Sequence, residues 1–323
     1  MDKSIFDSEK YGFLRNSPDL TNIAYLVVSG SYGYGTNKES SDIDLRGFLV
    51  EDKKYLLGTG NFEQFENIPT DTVIYGLKKF FSLCSSANPN ALELLGIDDD
   101  CIVIINDVGR KVRENADSFL TKRVIQSYGN YASAQLRRLS NALCHDQFDA
   151  SQQEKYLRDT LEAEIEHFNI VYSAFDKNSI RLYLNEASEV GILTDIHLEK
   201  YPLRDFVGIY SEMRETIKTY DKVNHRNRKK DDAHLFKHAM HLIRLLITGT
   251  DILKGHGIIT KRKAEHDFLM DIRNGKYSYS EIFTIADEYR GMFDAAAQNT
   301  KLPDKPDVKK IEDLQIEIFK AYL

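Results

Sequence analysis

The sequence GSYGYGT occupies residues 30–36, and SDIDLRG follows it at residues 41–47. The apolar run AYLVVS at 24–29 precedes the first stretch and predicts a buried strand. The second stretch begins DIDLRGFLV at 42–50, whose alternation of polar and apolar residues predicts another strand. An apolar strand, a glycine-rich turn and a second strand in this order predict a mixed α/β region with its functional groups at the turn.

The second strand carries two carboxylates at positions that project to the same face, Asp42 and Asp44, with Arg46 in line. Two unit charges about 4 Å apart interact by roughly 4 kcal/mol at an effective dielectric of 20, so a cation is expected between them. Mg²⁺ prefers such carboxylate ligands and keeps positions for water and phosphate oxygens. At the turn, Gly30 permits a close approach of the backbone to phosphate, and Ser31 adds a hydroxyl.

A D-x-D pair alone is more often a solvated strand edge, and a glycine-rich turn alone is a weaker signal still. Together they resemble the DNA polymerase β-like nucleotidyltransferase superfamily, whose signature is hG[GS], a spacer and Dh[DE]h. Gly30, Ser31, Asp42 and Asp44 match it. The resemblance implies a third carboxylate from a later strand. Asp71, at the start of the strand TVIY, is the first choice.

Two glutamates are alternatives for the third carboxylate, Glu66 and Glu63, because their neighbours Gln64 and Phe65 favour a strand of their own. More extended matches resemble the RNA-ligase-associated (RlaP-type) branch. They are DTVIYGLKKFFSLC at 71–84, NPNALELL at 88–95, YASAQ at 131–135, KHAMHLIRLL at 237–246 and LMDIRNG at 269–275. One departure is Gly76, where the branch favours a longer, often acidic residue.

A basic segment lies at residues 221–244, with seven Lys and Arg against three Asp, although the whole chain has a formal charge of -7. That net charge argues against binding nucleic acid through bulk charge, but not through a local patch. By itself the segment is typical of a solvated basic face. The resemblance instead implies that Lys237, His241 and Arg244 bind the nucleotide, together with Ser41 and Arg46 near the metal ligands.

The predicted fold class is α+β, with a small mixed-sheet nucleotidyltransferase domain at 1–107 and an all-α domain at 108–323. An amphipathic helix is expected around 77–85, another opens at Asn88-Pro89, and longer helical segments are expected at 118–144, 152–175, 178–190, 203–220 and 232–249. Three cysteines without C-x-x-C spacing and a start that is unlike a signal peptide predict a soluble, cytoplasmic protein without a membrane span.

Several further motifs favour ordinary structural roles. Arg228 and His234 have the R-x5-H spacing of HEPN-type ribonucleases, but Arg and His are dense there and chance matches are expected. Asn88 and Asn90 are interpreted as helix caps, and Cys144-His145 as helix-end residues. Tyr131 and Gln135 lie one helical turn apart, where they either line a cleft together or pack.

The resemblance implies an enzyme of the EC 2.7.7 type that binds two Mg²⁺ or Mn²⁺ ions and transfers a nucleoside monophosphate from an NTP, ATP included, to an acceptor hydroxyl. An RNA end, in particular that of a tRNA, is the expected acceptor in RNA repair. Two alternatives remain open. One is nucleotidylation, such as AMPylation, of a protein or small molecule; the other is a nucleotide-binding regulatory module without turnover.

Overall fold

The computed structural model describes residues 3–147, 180–184, 192–200 and 232–323, with isolated residues between 203 and 214. The chain forms two compact units. One unit combines residues 1–135 with 236–323, and the other comprises residues 136–235. The C-terminal helices therefore belong to the same unit as the N-terminal sheet. The division into domains at residue 107 stays a prediction.

The larger unit is built on a five-stranded mixed sheet. Its strands are β1 (Ile23–Val28), β2 (Leu45–Leu49), β3 (Gln64–Asn67), β4 (Thr72–Gly76) and β5 (Ile102–Ile105). Their order across the sheet is β3-β4-β2-β1-β5. All neighbours pair antiparallel except β2 and β4, which run parallel. The residues of β1 from Ala24 to Val28 are all buried, which places the core around this strand.

Helices lie before, between and after the strands in the sequence. They are α1 (Phe13–Asn16), α2 (Gly30–Gly33), α3 (Lys53–Leu56), α4 (Leu77–Ser85), α5 (Pro89–Leu92), α6 (Asp107–Glu114), α7 (Arg123–Gln147), α8 (Asp232–Lys254), α9 (His266–Arg273), α10 (Tyr279–Asn299) and α11 (Val308–Tyr322). The α+β class is confirmed, as are the predicted helices at 77–85 and 232–249, whereas the helix expected at 118–144 begins only at Arg123. Asn88 caps α5 as expected, because its side chain accepts from the backbone N–H of Asn90 at 3.0 Å.

One predicted strand begins later than expected, and one predicted helix is wrong. The strand expected at 42–50 begins only at Leu45, so Asp42 and Asp44 lie in the segment that leads into it. The helix expected at 178–190 is replaced by a two-stranded antiparallel sheet of β6 (Ile180–Leu184) and β7 (Ile192–Ile196). The sequence IRLYL at 180–184 places apolar side chains at every second position, which is the strand period. The segment 152–175 lies outside the described residues, as does most of 203–220.

A buried glutamate fills the space beside Gly76. Glu51, 2% exposed, accepts a hydrogen bond from the backbone N–H of Lys78 at 3.0 Å at the start of α4. A Cβ at residue 76 would lie 2.8 Å from Oε1 of Glu51. A longer side chain at residue 76 would therefore displace the Glu51 carboxylate.

Within the described ranges, none of the helices is long and apolar enough to cross a membrane. Cys84 and Cys101 are buried and free.

Candidate active site

Two carboxyl groups meet at one end of the sheet because β2 and β4 run parallel. Leu45 pairs with Thr72, so Asp44 and Asp71, which directly precede them, stand side by side where the two strands begin. The backbone N–H of Leu45 donates to the carbonyl oxygen of Asp71 at 3.1 Å. The two carboxyl groups share a hydrogen bond. We call Asp44 and Asp71 the carboxylate pair.

The glycine-rich turn presses against this pair. Gly30 has a φ of +58°, and a Cβ built on it would lie 1.9 Å from Oδ2 of Asp44. The backbone N–H of Ser29 donates to the carbonyl oxygen of Asp44 at 2.8 Å. A side chain at residue 30 would therefore displace the Asp44 carboxylate as well as strain the backbone. The sequence predicts that Gly30 lets the backbone approach a phosphate. In the structure, the missing side chain of Gly30 makes room for the Asp44 carboxylate.

The two members of the carboxylate pair titrate differently. Burial and the hydrogen bond with Asp71 raise the pKa of Asp44 to about 6, although the charges of Arg46 and Lys237 oppose the increase. Burial alone would raise the pKa of Asp71, but its hydrogen bonds with Asp44 and Arg46 outweigh that effect and lower it. Asp44 is therefore the member of the carboxylate pair that is protonated first as the pH falls.

Arg46 is the cation that touches this pair. Its guanidinium donates to Oδ1 of Asp71 at 2.6 Å and also to the carbonyl oxygen of Asp71. Both side chains remain partly open to solvent, 23% for Arg46 and 58% for Asp71. Arg46 thus neutralises Asp71 in the arrangement that the structure shows.

The chemistry of the carboxylate pair suits a hard divalent cation. Carboxylate oxygens are the ligands that Mg²⁺ prefers, and two adjacent carboxylates repel each other unless a proton or a cation lies between them. In the described part of the chain, no three His, Cys, Asp or Glu side chains are grouped closely enough to hold a metal ion. Asp42 is exposed and does not complete such a group with Asp44 and Asp71. Glu63 instead pairs with Lys79 at 3.3 Å, and Glu66 contacts Gln64.

The three residues expected on one face of α8 lie at different depths. Lys237 is exposed, and its charge acts on Asp44. His241 is half-buried, and Arg244 is fully buried. The face therefore runs from the carboxylate pair into the interior, and Lys237 is the member that stands closest to solvent.

Arg244 forms an internal ion pair. Its Nη1 lies 3.1 Å from both carboxylate oxygens of Glu93, and the side chains are only 1% and 3% exposed. The Tyr34 hydroxyl donates to Glu93 Oε2 at 2.8 Å, and the Tyr34 ring lies 3.6 Å below the Arg244 guanidinium. We call Glu93, Arg244 and Tyr34 the buried triad. It ties α8 to the glycine-rich turn, because Tyr34 directly follows α2.

His241 extends the buried triad toward the surface. Its Nδ1 lies 3.4 Å from Nη2 of Arg244, and its ring lies 6.3 Å from that of Tyr34 and 6.1 Å from that of Tyr131. Burial and the nearby charge of Arg244 hold the pKa of His241 well below its ordinary value. Its imidazole is therefore neutral near pH 7. Gln135, one turn after Tyr131, is buried, and its Oε1 has no hydrogen-bond partner among the described residues.

The loop between the glycine-rich turn and Asp42 is held by a residue that the site prediction omitted. Ser31 accepts from the backbone N–H of Thr36 at 2.8 Å through its carbonyl oxygen, and Ser41 Oγ accepts from the backbone N–H of Lys38 at 2.8 Å. Arg273, at the end of α9, donates to the carbonyl oxygen of Thr36 and to Ser41 Oγ at 3.4 Å. Ser31 and Ser41 are both half-buried.

Three residues at this site were therefore missed as site residues: Tyr34, Glu93 and Arg273. Glu93 had a signal, since it is a lone acid within the apolar run ALELL at 91–95. Arg273 lies in the family-like stretch 269–275 and Tyr34 in the glycine-rich turn, but neither residue had a signal of its own. Of the minor motifs, Arg228 lies outside the described residues, His234 is exposed, and Cys144 and His145 lie in the last turns of α7.

Comparison with known proteins adds one finding. The family model RlaP, described as the RNA repair pathway DNA polymerase beta family, matches residues 12–150. This range contains the glycine-rich turn, the carboxylate pair and Glu93. Neither the curated proteins nor the solved structures contain a match to the chain.

Proposed function

We propose that the chain transfers a nucleoside monophosphate from an NTP to an acceptor hydroxyl, on the premise that residues 12–150 match the RlaP family model, described as the RNA repair pathway DNA polymerase beta family. The acceptor oxygen forms a bond to the α-phosphorus, the bond from that phosphorus to the bridging oxygen of the β-phosphate breaks, and pyrophosphate leaves. The proton of the acceptor hydroxyl passes to solvent. The observation that carries the proposal is the carboxylate pair, with Gly30 packed directly against Asp44.

Asp42, Asp44 and Asp71 are the residues that we propose to hold two divalent cations, Mg²⁺ or Mn²⁺. When bound, these ions would acidify the acceptor hydroxyl and neutralise charge on the leaving pyrophosphate. Asp44 and Asp71 already adjoin each other. Arg46 must release Asp71 for that carboxylate to serve as a ligand, since its guanidinium now occupies Oδ1.

The triphosphate is proposed to lie along the glycine-rich turn. Gly30 and Ser31 offer backbone N–H groups and the Ser31 hydroxyl, and Ser41 flanks the same loop. Lys237 is the α8 residue placed to neutralise phosphate oxygens, because it is exposed and already acts on Asp44. His241 and Arg244 support Lys237 from inside, since the buried triad fixes α8 against the turn.

We propose that the acceptor is the end of an RNA, in particular of a tRNA, in a repair reaction. Two observations support an RNA: the description of the matching family, and the local charge of +4 at residues 221–244. Binding through such a patch depends on counterion release, so it should weaken steeply with added salt.

One experiment tests the reaction and the acceptor together. The protein is incubated with each α-labelled NTP, Mg²⁺ or Mn²⁺, and total RNA, and the labelled product is identified. Label in RNA that disappears in Asp42→Asn and Asp44→Asn, but persists in the exposed control Glu63→Gln, supports the proposal. Label on protein would indicate AMPylation-type chemistry instead. Turnover that survives Asp44→Asn at the wild-type rate would contradict the metal site.

A further inference from the structure

Three arginines in the C-terminal helical part of the larger unit are buried: Arg244, Arg262 and Arg273. Two of them are neutralised inside the protein. Arg244 pairs with Glu93 at 3.1 Å, and Arg262 pairs with Asp251 and also donates to Thr248 Oγ1 at 3.1 Å. These two guanidinium groups have the partners that buried charges require.

Arg273 differs from both. It is 9% exposed, yet within the described ranges its guanidinium forms no ion pair with any carboxylate. Its contacts are with neutral oxygens, the carbonyl of Thr36 and the hydroxyl of Ser41. Burial lowers the pKa of Arg273, and no nearby charge opposes this. A guanidinium held in this way is a cation without a counter-charge.

The position of Arg273 in the fold indicates what its guanidinium could bind. Thr36 is the last residue of the glycine-rich turn, and its backbone N–H donates to the carbonyl oxygen of Ser31 at 2.8 Å, so Arg273 contacts the turn directly. Ser41, its other contact, directly precedes Asp42. Arg273 therefore bridges both ends of the loop 36–41 that connects the proposed triphosphate cradle to the proposed metal ligands.

We propose that Arg273 binds the polyphosphate end of the nucleotide and, after transfer, the pyrophosphate. This inference rests on the proposed function and names a residue of its substrate site. A guanidinium has five N–H donors in a planar fork, and the two contacts with Thr36 and Ser41 leave others for phosphate oxygens. The phosphate groups of the substrate then supply the missing counter-charge. Before the substrate binds, Arg273 holds the loop 36–41 in place through Thr36 and Ser41.

The test uses the full chain and inorganic tripolyphosphate as the probe, with calorimetry for the Kd and thermal unfolding for stability. The variants are Arg273→Met and Arg273→Lys, and the matched controls are Arg262→Met and Arg262→Lys, which alter a buried but neutralised arginine nearby. We expect Arg273→Met to weaken tripolyphosphate binding at least tenfold and Arg273→Lys to weaken it about threefold. The Arg262 variants should lower the melting temperature but keep the wild-type Kd.

A role confined to bracing the loop gives a different pattern. In that case Arg273→Met lowers the melting temperature while the Kd for tripolyphosphate stays within twofold of wild type, and the proposal is overturned. Equal weakening by the Arg262 variants overturns it as well. If Arg273→Met does not fold, Arg273→Lys decides: a raised KM for the NTP with kcat retained supports the proposal, and an unchanged KM rejects it.

Failure of the inference can be told from failure of the proposed function. Tripolyphosphate binding requires no acceptor and no turnover. If the wild-type chain binds tripolyphosphate through Arg273 but incorporates no NTP, the polyphosphate site is supported and the proposed transfer reaction is contradicted. If the chain incorporates NTP and Arg273→Met has the wild-type KM for the NTP, the transfer reaction is supported and the proposed role of Arg273 is contradicted.

Discussion

Among the described residues, two arginine–carboxylate pairs that lie near the glycine-rich turn differ in what surrounds them. Arg46 and Asp71 lie at an open edge, 2.6 Å apart, with side chains 23% and 58% exposed. Arg244 and Glu93 lie 3.1 Å apart in the interior, at 1% and 3% exposed. Water can replace either partner of the first pair, but it cannot reach the second. The same chemistry thus gives one pair that can exchange its cation and another that fixes a helix in place.

The largest effect is expected from removing a carboxylate at the open edge. Asp44→Asn should lower nucleotide incorporation by about a thousandfold or more, since charge neutralisation in such a reaction depends on the metal ligands. The melting temperature should not fall, because the substitution removes one of two carboxyl groups that compete for a proton. Incorporation assays and thermal unfolding test this, with Glu66→Gln as control. A collapse of the fold in Asp44→Asn would contradict the comparison between edge and interior.

Substitutions in the interior pair, Arg244 and Glu93, should lower the free energy of unfolding. Arg244→Met leaves Glu93 buried with only the Tyr34 hydroxyl, and we expect the free energy of unfolding to fall by about 3–5 kcal/mol. The double variant with Glu93→Gln should recover part of this loss, since no uncompensated charge remains. Denaturant unfolding of the single and double variants measures the coupling. Simple additivity of the two losses would show that Glu93 and Arg244 do not act as a pair.

A smaller effect is expected from Tyr34→Phe, which keeps the ring below Arg244 and removes one hydrogen bond. Because Glu93 retains Arg244, the loss of unfolding free energy should be about 1–2 kcal/mol. The KM for the NTP should rise modestly if the buried triad positions Lys237. Kinetics and denaturant unfolding of the same preparation test both statements. A KM equal to that of wild type would remove the link between the buried triad and nucleotide binding.

The smallest effect is expected from pH. The pKa of Asp44 is raised to about 6 in the folded chain, so the folded state binds more protons than the unfolded state between about pH 4 and pH 6. In the presence of EDTA the unfolding free energy should therefore fall as the pH rises through this window, by roughly 1 kcal/mol after allowance for solvent screening. Asp71, with its lowered pKa, acts in the opposite sense only at more acidic pH. Asp44→Asn should remove the slope; a variant with the full slope would show that another group causes it.

The sequence predicted the parts of the site that depend on local pattern. The apolar strand, the turn, the helix at 77–85 and the Asn88 cap follow from periodicity and capping chemistry, and they are confirmed. The roles of the D-x-D carboxylates and of Asp71 stay predictions. Their neighbourhood depends on the register of β2 against β4, which no local pattern contains.

The parts that were missed depend on contacts between distant positions. Glu93 and Arg244 are 151 residues apart in sequence, and Arg273 is 237 residues from Thr36. Helical periodicity placed Arg244 on a polar face, but it does not state whether that face meets solvent or a buried acid. The strand β6 was mistaken for a helix because five residues with alternating apolar side chains are too few to separate the two periods within a long helical prediction.

The parallel pairing of β2 and β4 has a consequence for chain continuity. Asp44 and Asp71 are neighbours because of the hydrogen-bonded ladder, whereas the connection between the strands passes through the exposed residues 57–61. A circularly permuted chain with its new ends at Thr59 would keep Asp44 and Asp71 in register. The catalytic geometry that we propose therefore depends on the pairing of two strands and not on the loop that joins them.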